Sequence, residues 1–252
     1  MICLSAQNLR RALLAVGMIL LVTHSRAWAA DALEVDLELV QAVDASGSVD
    51  NDEWRLELDG IAAAIRAPDV LSAIKAGRNG RIAVALMAWA DATRQQDISD
   101  WFVIDSPASA EAFASAVERF PRRVGGGTGI GSAIAESIRN MHYAPYRAGR
   151  QVVDVSGDGS ETPAREEASI LLPTAIAMAN AFAVTVNGLA ITVQEPDLEA
   201  YYRANVATGP GHFVLRCDRY ADYRRAIHMK LLRELSPDVA AAQLHLASGS
   251  GP

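Results

Sequence analysis

Two cysteines are all that this 252-residue chain carries, Cys3 and Cys217. Cys3 lies in an amino-terminal segment with the marks of a removable leader. Cys217 is then left alone, and no intrachain disulfide can staple the fold even in an oxidising compartment. It sits in the apolar run HFVLRC (residues 212–217), where a lone thiol packs as a small hydrophobe. Basic charge is also scarce, with 23 Lys and Arg against 30 Asp and Glu. Losing residues 1–29 removes Arg10, Arg11 and Arg26 and no acid, which takes the net charge from −7 to −10. That balance argues against nucleic acid and anionic membrane surfaces as partners. No second long apolar run follows the leader, so no membrane span is expected after its removal. Common catalytic signatures are missing as well. There is no G-x-x-x-x-G-K-[ST] loop and no H-E-x-x-H. A G-x-S-x-G elbow fails because Ala45 precedes Ser46 and Val155 precedes Ser156. The glycine-rich GGGTGIGS opens a helix like a phosphate cradle, but the dinucleotide pattern needs glycine at 132, where Ser132 stands.

Half of the residues are hydrophobic, enough for one sizeable core. Arg10 and Arg11 precede the apolar run Ala12 to Thr23, and AWAA places Ala27 and Ala29 for cleavage after Ala29. That order is the plan of a secretory signal peptide. The run is short for a membrane span of about 20 residues, so cleavage is expected. Three segments follow: leader 1–29, one domain over 30–235, and a tail over 236–252 rich in Ala, Ser and Gly that is expected to fray.

Beyond the leader, strand-like and helix-like segments alternate. Strands are expected over Val35 to Val43, Arg81 to Ala90, Trp101 to Asp105, Gln151 to Ser156, Phe182 to Ile191 and residues 212–217. Trp54, Leu58, Ile61 and Ile65 recur at helical spacing, so Asp52 to Arg66 reads as an amphipathic helix with cap chemistry from Asp50 and Asn51. Further helices are expected over Pro107 to Arg119, Gly131 to Met141, Pro173 to Ala181, Asp197 to Asn205 and Tyr220 to Leu235. Apolar strands alternating with helices indicate an α/β fold: a doubly wound, Rossmann-like, mostly parallel sheet covered on both faces. Ligands of such sheets bind beyond the carboxyl ends of strands, which directs attention to the loops after Val43, Ala90, Ser156 and Ile191.

Three of the loops carry oxygen ligands. VDASGSVD (residues 43–50) sets Asp44, Ser46 and Ser48 two apart, so their side chains project the same way. GGGTGIG (125–131) holds one hydroxyl, Thr128, among glycines, and SGDGSE (156–161) offers Asp158 between two more. Converging at one sheet edge, they supply two carboxylates and three hydroxyls. An all-oxygen set suits Mg²⁺, Mn²⁺ or Ca²⁺ and disfavours Zn²⁺. Two carboxylates leave the cation net positive, able to keep waters and to accept an outside carboxylate.

Asp44-x-Ser46-x-Ser48 followed by Thr128 and Asp158 resembles the metal-ion-dependent adhesion site (MIDAS) of von Willebrand factor A-like domains. The likeness covers about Asp36 to Leu235. VDASGSVD, GGGTGIGSAI, VVDVSGDG and TVNGLAI look like a secreted bacterial branch of that superfamily, with a periplasmic location implied. The resemblance implies an antiparallel edge strand, for which WFVID is the candidate. It implies Ser46, Ser48 and Thr128 as ligands of Mg²⁺, with Asp44 and Asp158 binding directly or through water. An acidic residue of a protein partner would complete the shell, and the last helix can shift in relatives.

GSETPAREEASILL (159–172) would lie beside the cation with Glu161, Glu166, Glu167 and the apolar Ile170, Leu171 and Leu172. It reads either as a partner-contacting loop or as one whose apolar end tucks onto the domain. Asp91 can rim the site or serve a turn. Asp154, inside a strand, reads as a satisfied buried carboxylate. The histidines show no metal spacing. The expected function is a metal-dependent protein-binding module and not an enzyme. Its rivals are a metal-assisted hydrolase with Glu161 or Asp91 as base and a metal-free scaffold.

Overall fold

A computed structural model describes residues 32–91, 97–162 and 169–235. The expected leader, the tail from 236 and the acids Glu166 and Glu167 lie outside the described residues. The fold is that of the compact unit that begins at Glu34. No helix among the described residues is long and apolar enough to cross a membrane.

Six strands form one sheet in the order β4-β3-β2-β6-β7-β8. They are β2 (Glu38–Asp44), β3 (Ile82–Trp89), β4 (Phe102–Ile104), β6 (Gln151–Gly157), β7 (Thr185–Ile191) and β8 (Val214–Cys217). All pair in parallel except β4, which runs antiparallel at the edge beside β3, within the WFVID segment. Register puts Asp44 level with Trp89, and Val43 level with Ser156. β1 (Leu33–Val35) and β5 (Tyr146–Ala148) form a separate ribbon.

Seven α-helices among the described residues cover the sheet: α1 (Asn51–Arg66), α2 (Pro68–Ala76), α3 (Pro107–Glu118), α4 (Ile130–His142), α5 (Leu172–Ala181), α6 (Leu198–Asn205) and α7 (Tyr223–Leu235). Strand β2 shows why both faces are dry: Leu39 and Val43 join the core under α1, α3 and α7, while Val40 and Ala42 join the core under α4, α5 and α6. A doubly covered parallel strand is apolar on both sides.

Several elements depart from the sequence reading. The expected strand Val35 to Val43 breaks into β1 and β2, because the Asp36 carboxylate accepts from the backbone amides of Asn79 (2.8 Å) and Arg81 (3.3 Å). The expected strand from Phe182 begins only at Thr185, since Ala183 turns through φ 55° after α5. Helix α2, opened by Pro68 at its first turn, is additional, and Tyr220–Asp222 is a 3-10 turn ahead of α7.

Helix α7 is fastened to the sheet by buried ions. Lys230 Nζ lies 2.5 Å from Asp154 Oδ1 on β6 and 3.1 Å from Glu234 Oε1. Gln41 Nε2 donates to Asp154 Oδ2 (3.2 Å), and Asn187 Nδ2 on β7 donates to both Glu234 oxygens (2.8 and 2.9 Å). Asp154 is thus satisfied. Arg150, just before β6, holds two distant pieces of chain: its carbonyl accepts from Glu38 N (2.9 Å), and its guanidinium donates to the Glu234 carbonyl.

Candidate metal centre

Asp44 is the last residue of β2 and is fully buried. Its Oδ1 accepts from Ser46 N at 2.8 Å, which curls the following loop over the strand end. Ser46 Oγ lies 3.0 Å from Ser48 Oγ, and Ser48 Oγ donates to Asp158 Oδ1 at 2.7 Å. Helix α1 starts at once, because Asp50 and Glu53 form a reciprocal capping box at its first turn. Arg122 braces the loop from outside: its Nη2 donates to the carbonyls of Ser46 (2.7 Å) and Val49 (2.6 Å).

The glycine-rich loop is sewn to both neighbours. Gly47 N donates to Gly126 O (2.8 Å), Thr128 N to Thr162 Oγ1 (2.9 Å) and Thr162 N to Thr128 O (3.0 Å). Thr128 is buried, and a Cβ placed on Gly159 would lie 3.6 Å from its hydroxyl. The fold therefore brings Asp44, Ser46, Ser48 and Asp158 into one hydrogen-bonded chain, with Thr128 against the Asp158 loop. Gln194, in the loop after β7, adds a contact to Ser48 O (3.3 Å).

Buried acidic groups are concentrated here, with Arg122 the nearby cation. Among the described residues, Asp44 Oδ2 is buried with no hydrogen-bond partner, and so are both oxygens of Glu57 on α1. Burial, with the nearby Asp158 charge adding to it against the Ser46 hydrogen bonds, pushes the Asp44 carboxyl up to about 7. Burial raises Glu57 well above the usual carboxylate range, and the charges of Asp44 and Asp158 raise it further. An orphan carboxylate oxygen beside a second carboxylate and three hydroxyls fits a hard divalent cation. No three His, Cys, Asp or Glu side chains gather as a metal-binding group among the described residues, so such a cation would rely on the hydroxyls.

Gly157 is the tight spot. A Cβ there would meet Tyr202 Oη at 2.7 Å, Asp44 Oδ2 at 2.8 Å and Trp89 Cζ2 at 3.0 Å. Gly157→Ala is expected to cost about 1–3 kcal/mol through overpacking. Urea denaturation of metal-free protein measures it, and a cost below about 0.5 kcal/mol would show slack around Asp44.

The remaining candidates separate. Asp91 is half-buried against the glycine loop, 3.4 Å from a Cβ built on Gly126. Glu161 is turned inward: its carboxylate accepts from Gly131 N (3.0 Å) and Leu172 N (3.1 Å), at the first turns of α4 and α5. Leu172 is buried and Ile170 packs on the same core, whereas Leu171 is 57% exposed. The ILL segment is thus split, with two side chains tucked in and one left out. A Cβ on Gly131 would lie 2.3 Å from Ile170 O, so this segment closes directly over the start of α4. Of the described histidines, His228 faces Asp69 at 3.0 Å and His142 packs beside Tyr143.

Arg122, Gln194 and Glu57 escaped the sequence reading. Glu57 had a signal, because it falls on the Trp54–Leu58–Ile61 stripe where an acid has no business unless buried. Arg122 had none, since its partners lie more than seventy residues away.

Comparisons with known proteins place this architecture. The family described as "Protein of unknown function (DUF1194)" matches residues 34–239. No curated protein matches. Among solved structures, proximal thread matrix protein 1 from the mussel byssus, with its MIDAS motif occupied by zinc, superposes with a TM-score of 0.55 at 18% identity, over 82% of this chain and 49% of that chain. A von Willebrand factor type A protein from Catenulispora acidiphila gives 0.53 at 19%, over 81% and 43%. The corresponding domain of the type V pili tip protein Mfa5 from Porphyromonas gingivalis gives 0.54 at 10%, over 81% and 96%. The match spans under half of the mussel and Catenulispora chains. The shared fold is von Willebrand factor A-like, with the six-stranded sheet and antiparallel edge that the sequence implied.

Proposed function

The chain belongs to the DUF1194 family and folds as a von Willebrand factor A-like domain; from that premise we propose that it is an exported module that captures a protein partner through a divalent cation. The cation would be held by Asp44, Ser46, Ser48, Thr128 and Asp158. The observation that carries this is the buried, partnerless Asp44 Oδ2 beside Asp158 and the serine hydroxyls. A cation there supplies a positively charged open position for an acidic side chain of the partner. The chain's own residues orient it: Arg122 and the capping box fix the serine loop, and Thr162 fixes Thr128.

Support from relatives is of the same kind. The mussel protein has taken zinc at its motif, and Mfa5 is a pilus tip protein. For this chain the all-oxygen donors favour Mg²⁺, with Mn²⁺ or Ca²⁺ as substitutes. Leu171 and Val193, 57% and 49% exposed, lie on loops at the same edge and give the partner apolar footing. Export rests on the leader sequence, and the resemblance to a secreted bacterial branch favours the periplasm. The hydrolase reading is weakened because Glu161, one of its two bases, is committed to backbone amides.

Thermal unfolding of the chain without its leader, in EDTA and in Mg²⁺, tests the site. Cation at 100 times its Kd adds about 2.7 kcal/mol if only the folded state binds, a shift of roughly 5–10 °C for a domain of this size. Asp158→Ala should abolish the shift, and acetate, standing in for the partner's carboxylate, should enlarge it in the wild type. Equal melting curves with and without cation, acetate included, would refute the assignment.

A further inference from the structure

A second site lies away from the cation centre, where the segment entering β4 meets the carboxyl-terminal half of α4. A cavity of about 350 Å³ opens there between Asp100, Trp101, Glu136, Arg139, Asn140 and Tyr143, within the size range of small-molecule pockets. Tyr143 lies about 18 Å along the α4 axis from Gly131, at 1.5 Å per residue, so the two sites are separate.

Its chemistry is mixed in a particular way. Tyr143 is 78% exposed at the rim. Trp101 is half-buried, its ring steadied edge-on by Tyr146 at 6.0 Å. Two aromatic rings thus flank a polar wall. That wall holds acceptors (the exposed Asp100 carboxylate and Glu136) and donors (Arg139 and the Asn140 amide). Arg139 is already paired with Glu136, so no free cation waits for an anionic ligand. Its guanidinium also repels an ammonium group, and two rings make no aromatic cage for one. A ligand with many hydroxyls, each able to donate and accept, uses both kinds of group, while its C–H face rests on an aromatic ring. We propose that this cavity binds a neutral saccharide, independently of the divalent cation.

Titration of the protein with the methyl glycosides of glucose, galactose, mannose and N-acetylglucosamine tests this, followed by saturation-transfer NMR and tryptophan fluorescence. Saturable binding of at least one sugar is expected at about millimolar Kd, as suits a ligand of a dozen atoms. Tyr143→Ala and Asp100→Asn, both at exposed positions, should each weaken it about tenfold or more, while Asp44→Ala leaves it unchanged. Failure of all four sugars to saturate would overturn the proposal, as would binding undiminished in the Tyr143→Ala, Asp100→Asn double variant. Saturable binding of choline in place of sugar would overturn it too. None of these outcomes bears on the cation site, which the EDTA comparison tests separately.

Discussion

Lys230→Ala should lower the stability of the domain by about 3–5 kcal/mol, the cost of leaving buried charges without their partner. Lys230 is fully buried and stands between two acids, Asp154 and Glu234. Removing its ammonium leaves two carboxyls in the core, with only the Gln41 and Asn187 amides to solvate them. Lys230→Met, which keeps most of the volume, should fare little better, because charge and not packing is at stake. Adding Asp154→Asn to Lys230→Met should restore part of the loss by removing one orphan charge, a coupling that a double-mutant cycle reads directly. Midpoints of guanidinium unfolding give the comparison. A cost under about 1 kcal/mol for Lys230→Ala would mean that water reaches these groups once the lysine is gone. The same ions bear on the last helix: an axial slide of α7 must draw Lys230 away from Asp154 and Glu234 away from Asn187.

The metal-free domain should lose stability as pH rises, contrary to the usual behaviour of acids held in ion pairs. Asp44 is raised from 3.8 to about 7 by burial. Between those values the folded state keeps a proton that the unfolded chain gives up, so the stabilisation is complete below about pH 4 and lost as pH passes through 7. The full span is worth about 4 kcal/mol, at 1.36 kcal/mol per unit, and about 2.5 kcal/mol of it falls between pH 5 and 8. Glu57 is raised for the same reason and adds in the same direction. Melting curves in EDTA across that range should therefore fall for wild type and fall less for Asp44→Asn, which has no proton to lose. A divalent cation needs the ionised carboxylate, so the Mg²⁺ shift should grow over the same range. Parallel slopes for wild type and Asp44→Asn would show that Asp44 is not the group titrating.

The sheet was legible because its strands are buried on both faces. Apolar runs such as RIAVALMAWA have no competing reading once glycines and polar turns bound them, and order along the chain gave the parallel pairing. The candidate ligands were legible for a related reason: oxygen side chains two apart at a strand end have few structural duties there. What stayed hidden was long-range or local in a way pattern does not encode. The break at Asp36 depends on amides of Asn79 and Arg81, and the bracing by Arg122 depends on carbonyls far back in sequence. Lys230 and Glu57 occupy apolar stripes of their helices, beside Leu231 and Leu58, and that misplacement was the available clue to buried charge. The ILL segment was ambiguous because three equal-looking residues met different fates. The glycine at 131 lets the backbone close, which draws in Ile170 and Leu172 and leaves Leu171 outside.

The double grip of Arg150 has a mechanical meaning. By holding Glu38 at the foot of the first long strand and Glu234 at the last turn of the last helix, it brings the domain's way in and way out to one pole. Asp44 sits six residues up β2, roughly 20 Å away at strand rise, at the other pole. Whatever either end is joined to, the load path runs through the base while the acidic tip stays clear, as on a post anchored by its foot. Tension applied between the two ends would be borne first by the arginine clasp and the buried lysine beneath it, before it reached the loops at the top.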